Sequence, residues 1–239
     1  MRRLLRQADG ICSVSANSGK LCASALTYVN ALAHNFNIIY QKVVQEMEIR
    51  AFYRDALGVR DPRLLTMLEE NSHVVQVDKG QKVLDFGEIC TEILFLASGI
   101  FRGYFLDARG RDVTDCFGVL PGMPALPCSG FEAPSPICIE VLEDSEFVAI
   151  PIRALLPHLT ASMELMSIYN MLLQESLKEH WENKIALGQY SAAERYQWFL
   201  KSYPGLIDRV PHRDVASFLG MTPVSLSRIR RELRDKGEV

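Results

Sequence analysis

The sequence predicts an α+β chain in three parts: an antiparallel β-barrel or jelly roll, a long helix, and a small all-α domain at the C-terminal end. Three observations predict it. From His73 to Pro151, short β-like runs are separated by turn residues, many of them glycine-bearing. From Ala154 to Leu187, apolar residues recur three and four apart. From Val210 to Leu233, two short apolar-faced segments flank a glycine.

Composition sets the frame. The chain has 239 residues, enough for one large or two ordinary domains, each with an ample core. Its 48% hydrophobic and 23% charged residues are ordinary globular values and exclude a globally disordered chain. No apolar run reaches bilayer length, and Gln7, Asp9 and Gly10 interrupt the basic opening Met1-Arg-Arg-Leu-Leu-Arg6 before a signal core can form. The expected location is the cytoplasm. Cys12, Cys22, Cys90, Cys116, Cys128 and Cys138 are scattered without a C-x-x-C pair, the pattern of free thiols in a reducing compartment.

Residues 1–46 read as a poorly ordered extension, of the kind an upstream start adds. Ser, Asn, Ala and Gly dominate as far as Ser24, and the apolar residues that follow keep no period. The next domain, 47–153, opens at Met47. Glu48 to Asn71 is helical in pattern, with Ile49, Phe52, Ala56, Leu64, Leu65 and Leu68 facing one way, broken at Gly58 and Asp61-Pro62. Predicted strands follow at His73–Val77, Lys82–Phe86, Glu92–Ala97, Ile100–Leu106, Arg111–Phe117, Ile137–Leu142 and Glu146–Pro151. Turns are expected at Asp78-Lys-Gly80, Gly87-Glu88, Ser98-Gly99 and Asp107 to Gly110.

The helix at 154–187 carries a heptad-like seam of Met163, Met166, Asn170, Leu173, Leu177, His180, Lys184 and Leu187. Leu165, Ile168, Tyr169 and Leu172 form a neighbouring stripe. One stripe can pack on the barrel and the other on a partner; a single amphipathic helix inside a monomer is the alternative. Asn170 and His180 are register-setting in the first case and lie at the solvent edge in the second.

Gly188 is expected to end this helix and to open the last domain, 188–239. Ser191-Ala-Ala-Glu194 is a capping box, Tyr196, Phe199 and Leu200 give the next helix its inward face, and Pro204-Gly205 stops it. Val215, Ala216 and Leu219 then form one apolar face, and Gly220 makes the turn. Thr222 is the N-cap and Pro223 the first residue of a second helix. Leu226, Ile229 and Leu233 point inward, leaving Val224, Ser225, Ser227, Arg228 and Arg231 outside.

A short helix with such an outer face fits a DNA major groove. Hydroxyls and free N–H groups at its start hold a phosphate, and an arginine one turn on reaches a guanine edge with two hydrogen bonds. Between Thr222 and Lys236 five basic residues face Glu232 and Asp235, on a chain of net charge −3. Base-reading contacts need such a local patch and not a basic protein.

The segment Val215-Ala-Ser-Phe-Leu-Gly-Met-Thr-Pro-Val-Ser-Leu-Ser-Arg-Ile-Arg230 resembles the helix-turn-helix of the Crp/Fnr family of bacterial transcription regulators. Lys79-Gly80, Gly87-Glu88, Leu94-Phe-Leu96 and Ser98-Gly99 resemble, in order and spacing, that family's cyclic-nucleotide-binding-type domain. The resemblance runs from Met47 onward. It implies a cytoplasmic homodimer joined through the long helix, double-stranded DNA as partner, and RNA polymerase as a further partner where the output is activation. It aligns Arg228 with the base-reading arginine and Thr222 and Ser225 with backbone-contacting positions. Pro223 and Val224 replace two frequent polar base readers, and Val224 is placed to meet a thymine methyl. Ser227 belongs to the same face, and Arg231, His212 and Arg213 are phosphate candidates.

Family members that bind cyclic nucleotide use a Gly-Glu pair and an Arg-Ser or Arg-Thr pair between two strands. The matching stretch here, Gly118 to Pro136, contains no arginine or lysine. A buried phosphodiester there lacks a charge-assisted partner, which argues against cAMP. A small-molecule effector, if one binds, is of unknown identity, and no ligand-binding residue is assigned. Cys12 and Cys22 alone do not supply the iron–sulfur cluster some relatives carry.

An enzyme is the competing class. A metal-dependent cupin needs a His-x-His pair, whereas His34, His73, His158, His180 and His212 are isolated. Gly-x-Ser-x-Gly, Walker and Gly-x-Gly-x-x-Gly motifs are absent from the sequence. No catalytic residue, metal or cofactor is therefore expected. A barrel that regulates a protein partner without touching DNA is the remaining alternative.

Overall fold

The computed structural model describes residues 49–127 and 133–237. The extension expected over 1–46 lies outside these residues, as does part of the Gly118–Pro136 stretch.

Helix α1, residues 49–55, buries Ile49 and Tyr53 one turn apart, with Leu57 just beyond. It ends at Gly58, whose φ of 72° suits a residue without a Cβ. Helix α2, Pro62–Asn71, starts where Asp61 accepts from the Arg63 N–H at 2.8 Å, and Pro62 takes the first helical position. Leu64, Leu65 and Leu68 form its buried stripe.

Six strands follow: β1 His73–Val77, β2 Lys82–Leu84, β3 Glu92–Leu106, β4 Asp112–Gly118, β5 Pro124–Ala125 and β6 Cys138–Pro151. All pairings are antiparallel, along the path β1-β6-β3-β4, with β2 also on β6 and β5 also on β3. The barrel or jelly roll expected from the sequence is not closed: among the described residues β4 is an edge strand. The two longest strands pair with each other for most of their length and bend at bulges rather than closing the sheet.

The same bulges explain why Ser98-Gly99 does not end a strand. Gly99 has φ of 107°, and a Cβ there would lie 2.0 Å from Ser145 Oγ. That hydroxyl accepts from the Ile100 N–H at 3.1 Å and donates to the Glu143 carbonyl at 2.7 Å. Ser145 thereby supplies the hydrogen bonds that the interrupted ladder loses, and four predicted half-strands become β3 and β6.

The first core joins Phe95, Leu96, Phe101, Ile139, Val141, Phe147 and Ile150 of the sheet to Tyr53, Leu64 and Leu68. Each fully buried side chain of this kind contributes about 1.5–3 kcal/mol. The first two helices accordingly pack into the same body as the sheet.

The segment predicted as one helix is two. Helix α3, Ile152–Leu159, contains Pro157, and α4, Met163–Gln189, restarts where Ser162 accepts from the Leu165 N–H at 3.2 Å. Helix α4 also runs past Gly188, with Tyr190 as C-cap. Its Leu165 reaches the first core, with Ile168 and Leu172 beside it.

Helix α5, Ala192–Ser202, opens on the predicted capping box, in which the Ser191 N–H donates to Glu194 at 2.7 Å. A 3-10 turn at Leu206–Asp208 leads to α6, His212–Phe218, and α7, Pro223–Asp235. The second core joins Tyr196, Phe199, Phe218, Leu219, Leu226 and Leu233 to Ile100, Phe117 and Leu142 of the sheet. The C-terminal helices therefore share a core with the sheet. Among the described residues, no helix is long and apolar enough to cross a membrane.

Candidate nucleic-acid interface

Helices α6 and α7 are joined by a tight turn. Gly220 takes φ of 61°, and the Met221 N–H donates to the Ala216 carbonyl at 2.9 Å, closing the end of α6. At the start of α7, Thr222 Oγ1 accepts from the Ser225 N–H at 3.1 Å. Val215, Ala216 and Leu219 on one helix and Leu226, Ile229 and Leu233 on the other are buried, as the sequence pattern requires.

That anchoring turns one face of α7 outward. Thr222, Pro223, Val224, Ser227, Arg228 and Arg231 are exposed and Ser225 is half-buried. Val224 is an aliphatic side chain 69% exposed near the start of a polar helix face. The Thr222 and Ser225 hydroxyls lie 2.9 Å apart and present a paired polar edge beside it.

His212 and Arg213, in the first turn of α6, are exposed but engaged. Nη1 of Arg230 lies 2.5 Å from Nε2 and 3.1 Å from Nδ1 of His212. A guanidinium only donates, so the imidazole is the acceptor and cannot offer that nitrogen to a phosphate. Arg230, counted in the sequence among the basic residues after Thr222, was not among the expected site residues. It is half-buried, 4.0 Å from Asp208, and positions α7 against the rest of the helical unit.

The helix pair is seated on the sheet edge through a buried arginine. Arg102 of β3 is 3% exposed. Its Nε and Nη2 donate to Glu140 at 3.0 and 2.7 Å, and Nη2 also to Asp112 at 2.8 Å. Nη1 donates to Thr114 Oγ1 at 3.2 Å and to Asp214 of α6 at 2.9 Å. The guanidinium lies 4.4 Å from the centre of the Tyr104 ring. Burial opposes its charge, but the bonds to Glu140 and Asp112 outweigh that and raise its pKa. Asp214, 2% exposed, is pushed the other way: burial raises its pKa, only partly offset by Arg102 and Arg213.

Three further links cross the same boundary. The Thr114 N–H on the edge strand donates to Ser217 Oγ of α6 at 2.9 Å. Arg209 pairs with Glu143, and His180 of α4 with Asp115 of β4 at 3.0 Å. None of these pairs shows in the sequence, where the partners lie scores of residues apart. The His180 contact adds an intrachain partner to the seam reading. His180, 39% exposed, turns its ring to Asp115 of its own sheet.

The exposed apolar face of α4 runs instead through Leu173, Leu177, Trp181 and Ile185, four apart, with Leu177 60% and Trp181 52% exposed. Lys184 lies over the Trp181 ring, its Nζ 4.7 Å from the centroid. Met163 and Leu187 of the predicted seam are exposed as well.

The sheet is closely packed at Gly118. A Cβ on Gly118 would lie 2.0 Å from the Phe101 ring, which in turn packs 6.1 Å from the Phe147 ring centre. Cys90 and Cys138 are buried thiols. Among the described residues, no cluster of three His, Cys, Asp or Glu side chains has the arrangement of a metal site.

No protein-family model matches the chain, and no curated protein matches it. Solved structures do. FixK2 from Bradyrhizobium japonicum is 20% identical, with a TM-score of 0.62 over 70% of this chain and 86% of its own. A protein from Eubacterium rectale described as a transcriptional regulator of the Crp/Fnr family is 19% identical, with a TM-score of 0.61 over 77% of this chain and 88% of its own. The c-di-GMP-responsive global regulator CLP of Xanthomonas campestris is 13% identical, with a TM-score of 0.62 over 74% of this chain and 93% of its own. The chain shares the fold of these three proteins.

Proposed function

We propose that the protein is a dimeric, sequence-specific DNA-binding transcription regulator. The observation that carries this reading is the outer face of α7, where Arg228, Ser227 and the exposed Val224 stand free while Leu226, Ile229 and Leu233 hold the helix from behind. Such a face enters a major groove with its N-terminal residues toward the bases. Arg228 reads a guanine through two hydrogen bonds and Val224 meets a thymine methyl. Thr222 and Ser225, with the N–H groups at the start of α7, hold the backbone, Pro223 fixes the entry of the helix, and Arg231 neutralises a phosphate. His212 and Arg213 reach the backbone from α6 once released from Arg230 and Asp214.

Two such helices are brought together by a homodimer through Leu173, Leu177, Trp181 and Ile185, and the operator is a two-fold repeat. The sheet serves as a sensor whose effector is not cAMP, because Gly118 to Pro136 offers no cation to a cyclic phosphate. RNA polymerase is the further partner if the output is activation.

Sequencing the genomic fragments retained by the purified protein, with and without cell-extract metabolites, tests the reading. An enriched inverted repeat with half-sites about one helical turn apart is expected. Retention without any enriched sequence contradicts it.

A further inference from the structure

We infer that the first turn of α7 reads the 5-methyl group of a pyrimidine and not the pyrimidine's identity, so that 5-methylcytosine stands in for thymine and methylation of the operator is a second input to the protein. This rests on the major-groove placement of α7 proposed above. Val224, 69% exposed, is an aliphatic side chain beside Pro223 on a face otherwise made of hydroxyls and arginines. Pro223 is exposed too and carries no N–H. The two hydroxyls that flank them are taken. Thr222 Oγ1 accepts from the Ser225 N–H at 3.1 Å and lies 2.9 Å from Ser225 Oγ.

Thymine and 5-methylcytosine present the same methyl to the major groove and differ beside it, where thymine has the O4 acceptor and cytosine the N4 donor. Telling them apart takes a side chain that only accepts or only donates. Ser227, three residues on and therefore next to Val224 on the helix surface, has a hydroxyl that does either. Arg228, the neighbouring donor, spends both of its hydrogen bonds on guanine. The first carboxylate of α7 is Glu232, about 12 Å further along by the helical rise, so none stands beside Val224 to favour the N4 donor. What remains at this position is contact with the methyl, which thymine and 5-methylcytosine have and cytosine lacks.

Binding of the full chain to synthetic duplexes of the selected operator tests this. Deoxyuridine keeps every hydrogen-bonding group of thymine and lacks only the methyl. A scan of single thymine-to-deoxyuridine changes should find one thymine per half-site where affinity falls about fourfold, the worth of one methyl removed from water. With cytosine paired to guanine at that position affinity should again be low, and 5-methylcytosine should raise it about fourfold over cytosine. In Val224→Ala, which alters an exposed side chain, the deoxyuridine loss and the 5-methylcytosine gain should both largely disappear. If the operator is bound but no thymine is sensitive to deoxyuridine, or 5-methylcytosine is bound no better than cytosine, the inference fails and the regulator reading stands. A methyl effect that persists in Val224→Ala overturns it in the same way. Absence of any enriched operator fails the regulator reading itself, and the inference with it.

Discussion

The imidazole of His180 closes on the Asp115 carboxylate of the edge strand, Nε2 to Oδ2 at 3.0 Å, while Nδ1 lies 2.7 Å from the Ser176 carbonyl of its own helix. The hydrogen bond to Asp115, ahead of the opposing burial, raises its pKa from 6.5 to about 9. A folded pKa above the unfolded one gives stability that is fully present below about 6.5 and lost as pH rises through about 9. Melting temperature should therefore fall over that interval, modestly because both side chains are part-exposed. His180→Gln should remove most of the slope, and equal slopes in both proteins would refute the pairing.

Gly99 is where two predicted strands became one, and the site is intolerant of a side chain. Gly99→Ala places a methyl 2.0 Å from Ser145 Oγ at a φ of 107°. A loss of about 2 kcal/mol or more in denaturant unfolding is expected. Unchanged stability would show that the bulge yields easily.

Thr222 caps α7 whether or not DNA is present. Thr222→Ala should cost about 1 kcal/mol of stability and Thr222→Ser close to nothing. Any additional loss of DNA affinity in the alanine variant, measured where both proteins are folded, belongs to the backbone contact.

Leu177→Glu on the exposed face of α4 should turn a dimer into a monomer in sedimentation with the fold retained, because Leu177 is 60% exposed and a carboxylate there stays in water within one subunit. A dimer that persists in both Leu177→Glu and Trp181→Glu places the interface elsewhere.

What was legible in the sequence follows from the range of the interaction involved. The cap at Thr222, the turn at Gly220, the capping box at Ser191 and Glu194, and the inward stripes of α6 and α7 are set within a few residues, and all were readable from spacing. The continuity of β3 through Gly99 depends on Ser145, and the break before Met163 on Pro157 and the Ser162 cap, so bulge and break were misread as turn and continuous helix. On α4, heptad counting chose His180 and Lys184 and passed over Trp181 and Ile185, which are exposed apolar side chains of the same helix. Arg102 and Asp214 were invisible as a pair because nothing local marks a charged side chain for burial 112 residues from its partner.

The measurement closest to the central claim compares Arg228→Ala with the unaltered protein on the selected operator and on operators changed at single base pairs. The account predicts a loss of about 1–3 kcal/mol per half-site and relaxed preference at one base pair, whereas Arg231→Ala weakens every sequence alike and flattens the salt dependence. Undiminished selectivity in Arg228→Ala, or the same uniform loss in both variants, would contradict the assignment of α7 as a base-reading helix.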